Sequence, residues 1–187
     1  MSDVTTAKTS AKITVDPDHF TFVHYEPGRI VDVVSELAGL LGVGNPVHVV
    51  VDETTPAAKL SAEVDGTSSD ARITIHAESG ALDDFQRLTH FGVDNARQSL
   101  GRMLLRARDR MRADFADAPA DLELSLQQNA AWDAYCAGRL ARAGVPMSEQ
   151  RWRYNYRNRF GFSDAVDADF DRLWAADDLG WHDLGAS

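Results

Sequence analysis

The alternation of apolar and polar residues predicts three short strands followed by a long helix between residues 46 and 112. The first strand, Val47 to Val51, is a run rich in β-branched residues, which is typical of a strand buried on both faces or nearly so. In the second and third strands, 59–65 and 71–78, apolar residues occupy every second position, and this period of two indicates one exposed face. The loop between these two strands predicts a hairpin.

Amphipathic periodicity predicts helices on both sides of the strands. A stripe of apolar residues predicts a helix over about 29–41. From 82 to about 115 the apolar period changes to about 3.6, which predicts a long helix with Gly92 as the place where it divides into a short and a longer segment. Ser148 and Ser163 are the predicted N-caps of two later helices. We expect three helices in the C-terminal part, at about 122–143, 149–159 and 164–178.

These elements predict a single α+β domain in which a small sheet of three or four strands, mostly antiparallel, carries a long helix and is followed by a helical C-terminal region. We expect residues 1–12 to form a disordered tail, 13–116 an α+β core and 117–187 a helical extension packed on that core. A chain of 187 residues with 44% apolar residues is large enough for one well-packed domain.

Composition and charge narrow the classes of partner. A net charge of −10 makes nucleic acid an unlikely main partner, because attraction to phosphate supplies most non-specific affinity for nucleic acid. The single cysteine, Cys136, excludes an internal disulfide and fits a reducing compartment. No apolar run is long enough to span a membrane, and the N-terminus lacks the apolar core of a signal peptide. Arg strongly outnumbers Lys and Ala is abundant, which is typical of the codon usage of a high-GC bacterium, so we expect a protein of the bacterial cytoplasm. No Gly-rich loop follows a strand as a dinucleotide site requires, so we expect no cofactor.

The order helix, strand, strand, strand, long helix across 29–112 resembles the minimal core of the zincins, a fold of zinc metallopeptidases. The resemblance implies that the third strand borders an active-site cleft and that the next helix presents an HExxH signature. In that signature two histidines one helical turn apart bind zinc while the glutamate polarises a water molecule. The signature is absent from this chain, so the resemblance implies a degenerate member without hydrolysis.

The nearest counterpart of the missing signature is His90-Phe91-Gly92-Val93-Asp94. His90 and Asp94 keep the i, i+4 spacing on the predicted helix and are the candidate metal ligands, whereas Phe91 stands where the glutamate should be. The opposing interpretation places His90 at the start of a helix and lets Asp94 stabilise the helix N-terminus.

Polar residues on the strands form a second candidate. His76 and Glu78 share the outward face of the third strand, with His48 expected nearby. One interpretation is a metal or acid–base cluster, and the other is a set of ordinary polar residues exposed on the face of a sheet. Cys136 lies on a predicted helix, where a lone cysteine is expected to pack as a small apolar residue rather than act as a nucleophile.

Segment 151–159 concentrates basic and aromatic residues, with four arginines and no acidic residue. Arg153 and Arg157 lie one helical turn apart, which makes them candidates for binding an acidic partner protein. The competing interpretation is intramolecular, because residues 160–187 contain seven Asp and one Arg and could neutralise the segment. Single-stranded nucleic acid is the third choice, since arginines interleaved with aromatic residues also bind it.

Two functional hypotheses follow from these patterns. The first is a non-catalytic binding or regulatory module, in which an exposed third strand pairs with a strand of an unknown protein partner through its edge. Its candidate partner-binding residues are Arg72, Thr74, His76, Glu78, Arg153 and Arg157. The alternative is a metal-dependent hydrolase with an atypical site around His90 and Asp94. A homo-oligomer that buries the aromatic C-terminal stripe is a further expectation.

Overall fold

The computed structural model describes residues 11–185 and contains six strands and five α-helices in that range. In chain order they are β1 (Ile13–Asp16), α1 (Pro27–Leu41), β2 (Val47–Asp52), β3 (Leu60–Val64), β4 (Ile73–Glu78), β5 (Asp83–Asp84), β6 (Arg87–Phe91), α2 (Val93–Arg110), α3 (Leu126–Arg142), α4 (Glu149–Phe160) and α5 (Asp164–Ala175). The predicted α+β class is confirmed. Of the predicted disordered tail, residues 1–10 lie outside the described range. Lys12 is ordered, since its carbonyl accepts a hydrogen bond of 2.9 Å from the Val47 N–H.

The main sheet has the strand order β1-β2-β4-β3. β1, β2 and β4 run parallel, and β3 runs antiparallel to β4, so the β3–β4 hairpin is confirmed. The expectation of a mostly antiparallel sheet is wrong, because α1 carries the chain back between β1 and β2 and such a crossover makes them parallel. The prediction that the strand at 71–78 offers a free edge is also wrong. β4 pairs with β2 on one side and with β3 on the other, which leaves β3 as an edge strand.

The two faces of the sheet differ as the alternation in the third predicted strand, now β4, requires, whereas β2 was expected to be buried on both faces and is fully buried on only one. Val49, Ile73 and Ile75 are fully buried and face the layer formed by α1 and α2. His48 and His76 alternate with them and lie on the opposite, partly exposed face. The sheet therefore has one packed side and one polar side.

Residues 82–91 form a hairpin and not the first part of a helix, so this part of the long-helix prediction is wrong. Phe85 and Leu88, which the helical spacing placed on the buried face, are 62% and 70% exposed. The close approach of Gly92 to the β5 backbone favours the hairpin over a helix. A Cβ atom at Gly92 would lie 2.7 Å from the Asp83 carbonyl oxygen, so only glycine permits this approach. The helix that follows, α2, begins at Val93.

Helices α4 and α5 begin where their predicted capping residues place them, whereas α3 begins at Leu126 and not at about 122, after an N-cap at Ser125. Ser148 and Ser163 accept hydrogen bonds from the backbone N–H groups of Arg151 and Val166, which confirms both N-caps. Helix α3 packs against α2, α4 and α5. Its Gly138 contacts α5 so closely that an added Cβ atom would lie 2.0 Å from the Trp174 carbonyl oxygen. One hydrophobic core runs from the sheet through α2 into the C-terminal helices.

Candidate functional site

A cleft of about 340 Å³ opens between the end of β3 and helices α2, α3 and α4. Both signs of charge line this cavity, which we call the arginine cleft. Its charged residues are four cations, Lys59, Arg102, Arg106 and Arg159, and two carboxylates, Asp121 and Asp133. Asn129, Asn155, the indole of Trp152 and several apolar side chains complete the lining. The excess of cations stands out in a chain with a net charge of −10.

Helix α2 supplies the two guanidinium groups of the cleft floor. Arg102 and Arg106 are four residues apart, so their side chains project from the same face of the helix. Arg102 Nη1 donates to Asp133 Oδ1 at 2.7 Å, and Arg106 Nη2 donates to the same oxygen at 2.8 Å. Arg106 also donates to Asn129 Oδ1 at 3.0 Å, and the Arg102 guanidinium lies 4.7 Å from the centre of the Trp152 ring. These contacts hold both arginines at the α2–α3 interface.

This network binds only one of the two carboxylate oxygens of Asp133. Both of its hydrogen bonds end on Oδ1, and Oδ2 has no hydrogen-bond partner among the described residues. Burial by itself would raise the pKa of Asp133, but the charges of Arg102 and Arg106 outweigh burial and hold the pKa below its ordinary value. Asp133 is therefore an anion at neutral pH, with one carboxylate oxygen still able to accept hydrogen bonds.

Asp121 closes the edge of β3 that borders the cleft. In the β3–β4 ladder the N–H of Ala62 points away from β4, and it donates to Asp121 Oδ2 at 2.7 Å. The other oxygen of Asp121 accepts a hydrogen bond of 2.7 Å from Arg110 Nη2 and a longer one from Arg106. A partner strand could pair with the middle of β3 only by displacing this carboxylate.

The mouth of the cleft carries two cations without ion pairs. Lys59 and Arg159 are exposed, and neither forms an ion pair with another residue of the described chain, although Lys59 also lines a neighbouring cavity together with Asp52, Glu63 and Glu78. Trp152 Nε1 is buried and has no hydrogen-bond partner within residues 11–185. The arginine cleft thus combines free donors, two cations at its mouth and one free carboxylate oxygen at its floor.

The structure does not bring His90 and Asp94 onto one helical face. His90 lies on β6, where its ring stacks on that of His24 with centroids 4.5 Å apart. Asp94 lies in the first turn of α2, and its side chain is 76% exposed, 3.9 Å from Arg97 Nη1. The spacing argument for a metal site is therefore wrong, because the helix begins only at Val93. Across the described residues, no three or more His, Cys, Asp and Glu side chains are grouped so as to hold a metal ion.

The candidate residues of the third predicted strand lie inside the sheet. Thr74 pairs in register with His48, and His76 with Val50, on the polar face. His76 and Glu78 line a second open cavity of about 370 Å³ on that face, together with Asp52 and Glu63. Arg72 lies just before β4, outside that cavity.

Helix α4 divides its arginines between internal pairs and the cleft. Arg157 donates to both oxygens of Asp167, and Arg153 bonds to Glu149 and Asp171. For these two arginines the intramolecular interpretation is confirmed. Arg159, from the same basic segment, instead reaches the mouth of the arginine cleft.

Cys136 packs as predicted. The side chain is fully buried on α3, and burial raises the pKa of its thiol to about 12. At neutral pH the group is a protonated thiol, which confirms its packing role and provides no nucleophile.

Apart from Trp152 and Arg159, which belong to the basic and aromatic segment 151–159, the residues of the arginine cleft were missed by sequence reasoning. The signal was present as two matching pairs at helical spacing, Arg102 with Arg106 on α2 and Asn129 with Asp133 on α3. Such pairs are common on exposed helix faces, so only the packing of the two helices identifies them as the walls of one cavity.

Comparison with known proteins gives no match: no protein-family model, no curated protein and no solved structure is significantly similar to this chain. Within residues 11–185, no helix combines the length and the apolar character that crossing a bilayer requires. The arginine cleft is consequently interpreted from its own geometry and chemistry.

Proposed function

We propose that this chain is a non-catalytic binding module on a degenerate zincin-like fold, and that the arginine cleft binds a small carboxylate ligand. The observation that carries the proposal is the pair of cations without ion pairs at the mouth, Lys59 and Arg159, above a floor of two further arginines. In an acidic chain, such a local excess of positive charge attracts anions and excludes cations.

The zincin-like part of the proposal rests on element order alone. The elements α1, β2, β3, β4 and α2 follow one another as in the resemblance, although the β5–β6 hairpin is inserted before α2 and the strand beside the cleft is β3, not the third strand of the three. Helix α2 presents Arg102 and Arg106 one turn apart on the face that lines the cleft. A guanidinium group has no acceptor atom and stays protonated, so this face favours an anion over a metal ion.

The dimensions of the cleft favour a small ligand over an extended chain. Its volume of about 340 Å³ lies at the lower end of the range for small-molecule pockets. Asp121 accepts the hydrogen bond of the Ala62 N–H at the centre of the β3 edge, so this N–H is not available to a peptide strand. We therefore do not propose that a partner strand pairs with the edge of β3.

The internal charges favour a carboxylate over a phosphate. Guanidinium groups bind carboxylates and phosphates alike through paired, charge-assisted hydrogen bonds, so the carboxylates already present in the cleft decide between the two. Asp121 and Asp133 also line the cleft, and their negative charge repels a doubly charged phosphate more than a singly charged carboxylate. No feature of the described residues favours the alternative, a metal-dependent hydrolase around His90 and Asp94.

Titration of the protein with 4-methylpentanoate, a carboxylate with an apolar tail, tests the proposal. The affinity, measured by calorimetry or ligand-observed NMR, should fall about tenfold or more in the Lys59→Gln, Arg159→Gln double variant, because charge-assisted contacts contribute on this scale. Arg87→Gln is the matched control, since Arg87 is exposed on β6 outside the cleft lining. Equal affinity of the wild type and the double variant would refute the proposal.

A further inference from the structure

The free oxygen of Asp133 narrows the chemistry of the ligand. Resting on the proposed function, we infer that the arginine cleft binds a zwitterion of the α-amino-acid type with an apolar side chain. Its carboxylate lies at the mouth, on Lys59 and Arg159, and its ammonium group donates to Asp133 Oδ2. Because both charged groups of an α-amino acid are attached to one carbon, Lys59 and Arg159 on one side and Asp133 on the other contact neighbouring atoms of the ligand.

The hydrogen bonds of three carboxylates at the α2–α3 interface, two of them buried and Asp133 partly exposed, point to Asp133. Asp121 uses both oxygens, one for Ala62 and the other for two arginines. Asp109 likewise accepts hydrogen bonds on both oxygens, from Arg139 and Trp132. Asp133 alone among these three keeps an oxygen without a partner in the described chain, and it lines the cleft. An ammonium group, which carries three donors and no acceptor, is the natural complement of that oxygen.

The two signs of charge in the cleft favour a zwitterion over ligands with a single charge. A plain anion would satisfy Lys59 and Arg159 but leave Asp133 Oδ2 without a donor. A plain cation would satisfy Asp133 but enter past two cations that form no ion pair. A zwitterion gains both charge-assisted contacts, and one such hydrogen bond is strong enough to make the difference measurable.

The remaining lining selects the side chain of the ligand. Leu60, Met103 and Leu126 line the same cavity, and they offer apolar contact to a branched aliphatic group. The cavity volume of about 340 Å³ leaves room for an amino acid of leucine size. L-leucine is therefore the first probe.

The experiment compares three probes that differ at one end only. L-leucine carries both charges, 4-methylpentanoate lacks the ammonium group, and L-leucinamide lacks the carboxylate. Calorimetric or NMR titration of the wild type should give L-leucine an affinity about tenfold or more above that of either analogue, the scale of one charge-assisted hydrogen bond. In Asp133→Asn, with folding checked by circular dichroism, the advantage of L-leucine over 4-methylpentanoate should disappear.

Each outcome separates this inference from the proposed function. Equal binding of L-leucine and 4-methylpentanoate would overturn the zwitterion and leave the carboxylate site intact. An advantage of L-leucine that persists in folded Asp133→Asn would overturn the assignment of the ammonium group to Asp133. Absence of binding by all three probes would overturn both proposals. If Asp133→Asn does not fold, the comparison of the three probes on the wild type decides alone.

Discussion

Helices α2 and α3 hold two clusters of arginine and aspartate that differ in how completely the carboxylate is bound. In the closed cluster, Arg139 donates to both oxygens of Asp109, at 2.8 and 2.6 Å, and Trp132 Nε1 adds a hydrogen bond of 2.9 Å. In the open cluster, Arg102 and Arg106 both donate to one oxygen of Asp133 and leave the other free. The side chain of Asp109 is 0% exposed and that of Asp133 is 16% exposed.

The difference shows that residue type alone does not separate a structural ion pair from a binding site. The indole of Trp132 lies between the clusters: its Nε1 serves Asp109, while the guanidinium of Arg106 lies 5.1 Å from its ring centre. On one side every carboxylate oxygen is bound within the protein, so the cluster contributes to folding alone. On the other side an oxygen remains free at the wall of a cavity, so the cluster can also bind a ligand.

The largest effect is expected in the closed cluster. Asp109→Asn leaves the guanidinium of Arg139 buried without its counter-ion, and breaking a buried pair in this way costs about 3 to 5 kcal/mol. Urea unfolding followed by circular dichroism should show this loss in the free energy of unfolding at pH 7. The affinity of the folded variant for 4-methylpentanoate should match that of the wild type. A loss below about 1 kcal/mol would show that Asp109 is not a structural anchor.

A smaller loss is expected in the open cluster. Asp133→Asn removes the charge from an oxygen that two arginines share, and the surrounding residues are less completely buried, so we expect a loss of about 1 to 3 kcal/mol. The same urea experiment measures it. A loss as large as that of Asp109→Asn would mean that the two clusters are equally structural, and the comparison would fail.

The pH dependence of the unfolding free energy distinguishes the contribution of the charge of Asp133 from that of its packing. Because the folded pKa of Asp133 lies below its ordinary value of 3.8, the group stabilises the fold above about pH 4, and this contribution is lost as the pH falls through the folded pKa. The difference in unfolding free energy between the wild type and Asp133→Asn should stay constant from about pH 7 to 5 and shrink below about pH 4. Using the difference cancels the titration of other carboxylates, and a difference that stays constant at low pH would assign the effect to packing.

Local sequence patterns predicted most elements of the fold, and they failed where a distant contact decides the structure. The helical stripe of α1 was interpreted correctly because its apolar face is buried as the spacing requires, and α4 and α5 were placed correctly by their N-cap serines. In residues 82–91 the same spacing was misleading. There the backbone is held by the approach of Gly92 to Asp83 and by a hydrogen bond of 2.7 Å from the His24 N–H to the Thr89 carbonyl. Neither contact leaves a periodic trace in the sequence.

The arginine cleft could not be predicted for a related reason. Arg102 and Asp133 are 31 positions apart, and their contact exists only because α2 packs against α3. In the sequence, the arginines of α2 look like those of any charged helix face, and the favourable i, i+4 spacing is shared by pairs that remain in solvent. The site is identified by the free Oδ2 of Asp133 and by the lack of ion pairs at Lys59 and Arg159 within the described chain. Both are properties of the folded chain and not of the local sequence.

The smallest effect on stability is expected at the mouth of the cleft, where the effect on binding should be large. Lys59 and Arg159 are exposed and form no ion pair within the described chain, so replacing both with Gln should change the free energy of unfolding by less than about 0.5 kcal/mol. Because the chain already carries a net charge of −10, the substitutions add some self-repulsion, which about 0.15 M salt largely screens.

Urea unfolding in low and physiological salt measures this change on the double variant used for the binding experiment. The closed cluster would then provide stability without binding, and the mouth would provide binding without stability. The open cluster lies between them because the oxygens of one carboxylate serve both purposes. A loss of more than about 1.5 kcal/mol in the unfolding free energy of the double variant would contradict this separation. It would mean that Lys59 and Arg159 stabilise the fold and do not serve ligand binding alone.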